Sequence, residues 1–277
     1  MIRLSSLLAT ILLVACNSHP KNVFKTDTPL DVAQSVFGKK GFPDVKKFST
    51  GEYKGDFSGN DLADSLTTKF TLLEQKENTA VVAMTALTPS GKGEDIYLHF
   101  EKDTVWKINA VRGLAMTGII AEALKEMEHL TPQQVEEAIK KGRFESKEDY
   151  AFQLGNSRLV LAMDRDLIKH FEEHKAEFER IKNTALEELK TIKINEDGST
   201  RMIEKLKPDY HKLFIVGVRY DDYEVGGNCL SFTIGGMLDN TVGYLYAANK
   251  KDLPEMNPNR LIMLKEIGNG WYLYKTT

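Results

Sequence analysis

The sequence predicts an α+β protein in which two antiparallel sheets are separated by a helical segment. Residues 69–111 and 192–277 carry short runs of alternating apolar residues between turn signals, while residues 113–190 repeat their apolar residues every three or four positions. A third observation sets the two ends apart: the first fifteen residues are a basic start followed by an apolar run, and the last seventeen read as one hairpin, LIMLKEI-GNG-WYLYKTT.

Each element has a local reason. Pro29 to Phe37 is expected to be a helix, with Asp27 or Thr28 as cap, Pro29 in the first turn, Leu30, Ala33, Val36 and Phe37 on one face, and Gly38 and Gly41 stopping it. Residues 42–66 mix glycine with charge and are expected to be irregular, with at most a short helix near 60–66. KFTLLE (69–74) and TAVVAMTAL (79–87) form one hairpin across QKEN, and DIYLHF (95–100) and VWKINAV (105–111) form a second across EKDT. The middle segment then supplies three or four helices. One opens at Thr131-Pro132 with Gln134 three residues on, and stops at Gly142. In the last, Leu167, Phe171, His174, Phe178, Ile181 and Ala185 make one stripe. From Ile192 the pattern is again that of strands, including IKINEDGSTRMIEKL with a turn at Asp197-Gly198, and Asn269-Gly270 supplies the positive torsions of a tight terminal hairpin.

Composition excludes some functions. The 277 residues hold 37 Lys and Arg against 40 Asp and Glu, a net charge of −3, with no basic run, so nucleic acid is not an expected partner. Met1-Ile2-Arg3 begins a signal-like layout whose apolar core ends at Ala15, too short for a spanning helix of about 20 residues. No other stretch approaches membrane-spanning length.

That core closes on Leu13-Val14-Ala15-Cys16, which resembles the bacterial lipoprotein signal. The resemblance implies that residues 1–15 are removed and that Cys16 carries lipid. It makes residues 16–27 a polar tether and the bilayer a partner through the acyl chains on Cys16. Each buried methylene is worth about 0.8 kcal/mol, and two or more chains anchor stably. Asn17 follows where aspartate would resemble the inner-membrane retention signal, so the expected location is the bacterial cell envelope, at the outer membrane in a Gram-negative source. With Cys16 lipidated, Cys229 is left alone, and its place in the apolar run NCLSF reads as a small buried hydrophobe.

Two further resemblances follow. Residues 28–112, through PLDVAQSVFG, TAVVAMTAL and DIYLHF-EKDT-VWKI, look like a small nuclear-transport-factor-like domain, which implies a cone-shaped sheet with an N-terminal helix and a mouth used by isomerases, dehydratases and plain binding modules. Beyond it lie a helical segment at 113–190 and a C-terminal sheet at 191–277, and the stretch from DRDLIKHFEEHKAEFERI to the terminal GNGWYLYKTT is similar to uncharacterised bacterial lipoproteins with a D-x-x-L-I-x-x-F helix and a W-Y-L-Y strand preceded by a G-Y-x-Y strand. That likeness brings no activity.

Candidate chemistry is sparse. HFEEH, His170 to His174, matches the H-x-x-E-H pattern of inverted zinc peptidases, in which two histidines on one helical face hold the metal and Glu173 acts as base. His174 also lies on the apolar stripe and no third ligand is signposted, so packing is the expected role. Gly226-Gly227 and Gly235-Gly236 precede no helix and read as turns or bulges. His99, His129 and His211 stand singly, Trp106 and Trp271 read as core or rim aromatics, and no G-x-S-x-G elbow is present. The expectation is a lipid-anchored binding module with no catalytic residue, cofactor or metal, holding a protein or small-molecule ligand. The alternatives are a cone-pocket isomerase or hydrolase, a zinc hydrolase through His170, Glu173 and His174, and an immunity-type lipoprotein that protects against a toxin.

Overall fold

The structure is a computed structural model that describes residues 24–38, 41–191, 201–220, 225 and 228–277. Cys16 and its signal run, the first part of the tether, the turn at Asp197-Gly198 and the pair Gly226-Gly227 lie outside the described residues. No helix among the described residues is long and apolar enough to cross a membrane.

Thr28 caps α1 (Pro29–Phe37), and Asp31 returns the bond to the Thr28 backbone, so the helix starts where a proline and a reciprocal cap put it. Two 3-10 turns, Val45–Phe48 and Gly59–Asp61, follow in the region read as irregular. Then come β1 (Thr67–Gln75), β2 (Thr79–Leu87), β3 (Gly93–Lys102) and β4 (Trp106–Arg112), paired antiparallel in the order β1-β2-β3-β4.

Five helices succeed them: α2 (Thr117–Glu128), α3 (Pro132–Lys140), α4 (Lys147–Val160), α5 (Asp164–Glu173) and α6 (Lys175–Thr191). The sequence stripe from Leu167 to Ala185 is therefore shared by two helices. His174 leaves helical geometry at φ −115 and ψ 19, yet Leu167, Phe171, Phe178, Ile181 and Ala185 stay fully buried on both sides of the break.

The second sheet contains β5 (Arg201–Met202), β6 (Gly217–Tyr220), β7 (Leu230–Met237), β8 (Asn240–Tyr246), β9 (Leu261–Gly268) and β10 (Trp271–Thr276), in the order β5-β6-β7-β8-β10-β9. The α+β class with two antiparallel sheets and helices between them in sequence is thus the observed one. One stretch departs from the strand reading. Residues 204–213 are helical, a 3-10 turn running into α7 (Lys207–Tyr210) and a second 3-10 turn. Leu206, Tyr210 and Leu213 are buried at spacings of four and three, and Pro208 sits in the first turn, where its missing N–H costs nothing.

The terminal hairpin follows its turn chemistry, with Asn269 at φ 55 and Gly270 at φ 81. Gly236 has a different reason: a Cβ there would stand 1.8 Å from the Asn240 carbonyl, in β7 just beyond a bulge.

In the first sheet, β2 is buried on both faces. Ala80, Val82 and Met84 of β2 pack under α1 with Phe37, Phe48, Trp106 and Ile108. Val81, Ala83 and Tyr97 point the other way, into the core formed by α5, α6 and the second sheet. This explains why TAVVAMTAL is apolar at nearly every position, since a strand covered on both sides has no solvent face to alternate with. The α1 side of the sheet is filled by these side chains.

His99 lies in that interface between sheets. It is buried, hydrogen bonds with the Ile262 backbone of β9, and its Nε2 has no hydrogen-bond partner among the described residues. Burial, reinforced by the Arg112 guanidinium, pushes its pKa down to about 4. Because the folded value lies below that of the unfolded chain, stability is complete above pH 6.5 and falls as pH drops through 4, by about 3 kcal/mol for this group. Urea midpoints between pH 7.5 and 4 are expected to fall in step, and His99→Leu is expected to flatten that part of the profile; an unchanged slope in the variant would refute the assignment.

Candidate functional site

The most distinctive polar arrangement among the described residues begins with strand alternation. In β10, Trp271, Leu273 and Lys275 share one face, and that face looks into the main core. Lys275 is only 4% exposed. A buried ammonium needs a partner, and α5 supplies it: Lys275 Nζ lies 2.8 Å from Asp164 Oδ1. Asp164 is the first residue of α5, where the helix dipole favours a carboxylate.

The first sheet completes the group. The Tyr97 hydroxyl of β3 donates to Asp164 Oδ1 at 2.8 Å, and the Lys275 ammonium stands 5.4 Å from the Tyr97 ring centroid. The N-cap position of α5 is Met163, which offers no capping oxygen. Asp95, also on β3, caps the helix in its place. Its Oδ2 accepts from the Asp164 N–H at 2.7 Å and its Oδ1 from the Thr85 hydroxyl at 2.6 Å. Burial, then the charges of Asp164 and Asp95, hold the Tyr97 pKa well above the usual phenol value, so it remains a hydroxyl and a donor at neutral pH.

Beside this network is a cleft of about 430 Å³. Lys275 and Asp95 line its polar side; Ile96, Leu114, Val160 and Met163 contribute apolar surface, and Thr117 and Gly118 bring in the first turn of α2. Its size falls within the range of small-molecule sites. Each group in the network meets at least one partner, and the Lys275 ammonium has donors beyond the one given to Asp164, an arrangement suited to holding and orienting a ligand.

A second cleft, about 500 Å³, opens between α4 and residues 207–214. His211 stacks on Phe152 there at 4.3 Å between ring centroids, with Glu148 and Lys207 on the lining. Burial and then the nearby Lys207 charge lower the His211 pKa.

The HFEEH residues are placed otherwise than a zinc helix would place them. The helix stops at Glu173 and His174 is its cap. The two rings lie 4.5 Å apart, but His170 Nε2 meets the Leu213 carbonyl at 3.2 Å, His174 Nδ1 meets the His170 carbonyl at 2.9 Å, and Glu173 lies 3.7 Å from Lys169. No group of three His, Cys, Asp or Glu side chains among the described residues could hold a metal ion. Cys229 is buried with Leu245, Leu261 and Tyr272, and its thiol donates to the Asp252 carbonyl. Trp106 and Trp271 are buried in the two cores, and the Trp271 indole donates to Glu179 Oε1 at 2.7 Å. His129 Nδ1 meets the Lys125 carbonyl of its own helix.

Sequence reasoning did not single out Tyr97, Asp164 or Lys275. A local signal existed for the last alone, since counting alternate residues back from Lys275 gives Leu273 and Trp271. No family model, curated protein or solved structure matches the chain.

Proposed function

We propose that this chain is a lipid-anchored bacterial envelope protein, held in the membrane through acyl chains on Cys16, that binds a small ligand in the cleft beside Lys275. The observation that carries the anchoring is the run Leu13-Val14-Ala15-Cys16 at the end of an apolar segment too short to span a bilayer. The binding role is supported by a cleft of ligand size lined by Lys275, whose ammonium is held by Asp164 and keeps further N–H donors. Asn17 favours the outer membrane where the source is Gram-negative.

The anchor is tested by the mass of the N-terminal peptide. The native protein is expected to start at Cys16 with acyl chains attached, and Cys16→Ser to abolish both acylation and palmitate labelling; an unacylated native N-terminus would end this reading. The cleft is tested by native mass spectrometry of the full chain isolated from envelopes, which is expected to carry a small-molecule adduct that Gly118→Phe lacks.

A further inference from the structure

We infer that the ligand of the Lys275 cleft is an uncharged acyl ester, a monoacylglycerol-like amphiphile whose chain lies along the apolar wall and whose carbonyl accepts from the Lys275 ammonium. This rests on the cleft being the binding site. The walls offer a hydrocarbon chain the half-buried Ile96 and Leu114, with only the edges of the buried Val160 and Met163 reaching the lining. Met116 and Ile119, next in the chain to the cleft-lining Thr117 and Gly118, are 42% and 53% exposed, apolar surface that a lipid chain could cover.

Charge then selects the head. Two carboxylates, Glu94 and Asp95, line the cleft beside the single ammonium of Lys275, whose charge is already met by the buried Asp164. A free carboxylate or phosphate would add like charge to a half-enclosed site of excess negative charge. A cationic head would face the Lys275 ammonium, and both Asp95 oxygens are already occupied. Lys275 spends one N–H on Asp164, the ion-pair partner seen for it among the described residues, and an ester carbonyl can accept another without changing the charge.

The test uses the full chain in nanodiscs with a photoreactive monoacylglycerol, compared with the free fatty acid of the same chain, and reads the labelled peptide by mass spectrometry. Label is expected on residues 113–121 or 160–164, about tenfold above that from the fatty acid, corresponding to about 1.4 kcal/mol. Gly118→Phe is expected to remove it. A Cβ at Gly118 meets no atom within 4 Å, so this cleft-lining position has room to start a side chain; Ala121→Trp, also on the lining, serves as a second blocking variant should the first melt early. Equal labelling by the fatty acid would overturn the uncharged head, and labelling indifferent to both variants would overturn the ester as ligand. An envelope-derived adduct lost in Gly118→Phe but of another chemistry would leave the cleft as the binding site and remove only the ester; absence of any cleft-dependent adduct would remove both.

Discussion

Lys275→Met is expected to destabilise the protein by about 3–5 kcal/mol, because it leaves the Asp164 carboxylate buried without its counter-charge. Both side chains of the pair are 6% exposed, so little water reaches the carboxylate to replace the lost partner. The loss comes from the orphaned charge more than from the removed attraction, and this has a second consequence. The triple variant Lys275→Met, Asp164→Leu, Tyr97→Phe removes the ammonium, the carboxylate and the hydroxyl together, and leaves an apolar contact in their place. It is expected to recover more than half of the loss in urea unfolding. The Asp164 backbone N–H keeps its bond to Asp95 in that variant, so the start of α5 remains capped. If the single variant unfolds at the same urea concentration as the native chain, the pair does not have the burial assigned to it. If the triple variant is as unstable as the single one, packing around the pair accounts for the loss.

Phe178→Ala is expected to cost about 3–5 kcal/mol through the cavity it leaves in the main core. Its ring packs against Phe171, Phe232, Tyr244 and Trp271, joining α5 and α6 to the second sheet. The same core takes in Val81, Ala83 and Tyr97 from the far face of the first sheet. The destabilisation is therefore expected to reach residues far from the cavity. The chain has two tryptophans, Trp106 in the first sheet and Trp271 in the second, so single-tryptophan variants report the sheets separately. Phe178→Ala is expected to lower the urea midpoint at Trp106 by as much as at Trp271. A shift confined to Trp271 would mean that the sheets unfold independently despite their shared core.

Much of the fold was legible because the signals are local. The cap at Thr28, the Thr131-Pro132 start, the two hairpins of residues 67–112 and the Asn269-Gly270 turn each depend on residues within a few positions of one another. The helical stretch at 204–213 overlaps the end of the strand run IKINEDGSTRMIEKL and lies unsignalled between two strand runs, because three buried apolar residues at helical spacing sit in a segment too short to display a period. HFEEH looked like one face of one helix until the chain turned at His174, and there the imidazoles settle on carbonyls of Leu213 and His170.

The sequence by itself determined the α+β class, the order of its elements and the apolar run ending in Cys16 on which the membrane proposal rests. Periodicity and backbone torsion operate over four residues or fewer, and they are written wherever those residues stand. Only the tertiary structure decided which faces meet. It buried β2 on both sides, carried Lys275 of the last strand onto Asp164 at the head of α5, and set Tyr97 and Asp95 of β3 around them. The reason is that a charge turned into a core must find its opposite among whatever elements pack against that face, and neither strand alternation nor helix period names a partner so far along the chain.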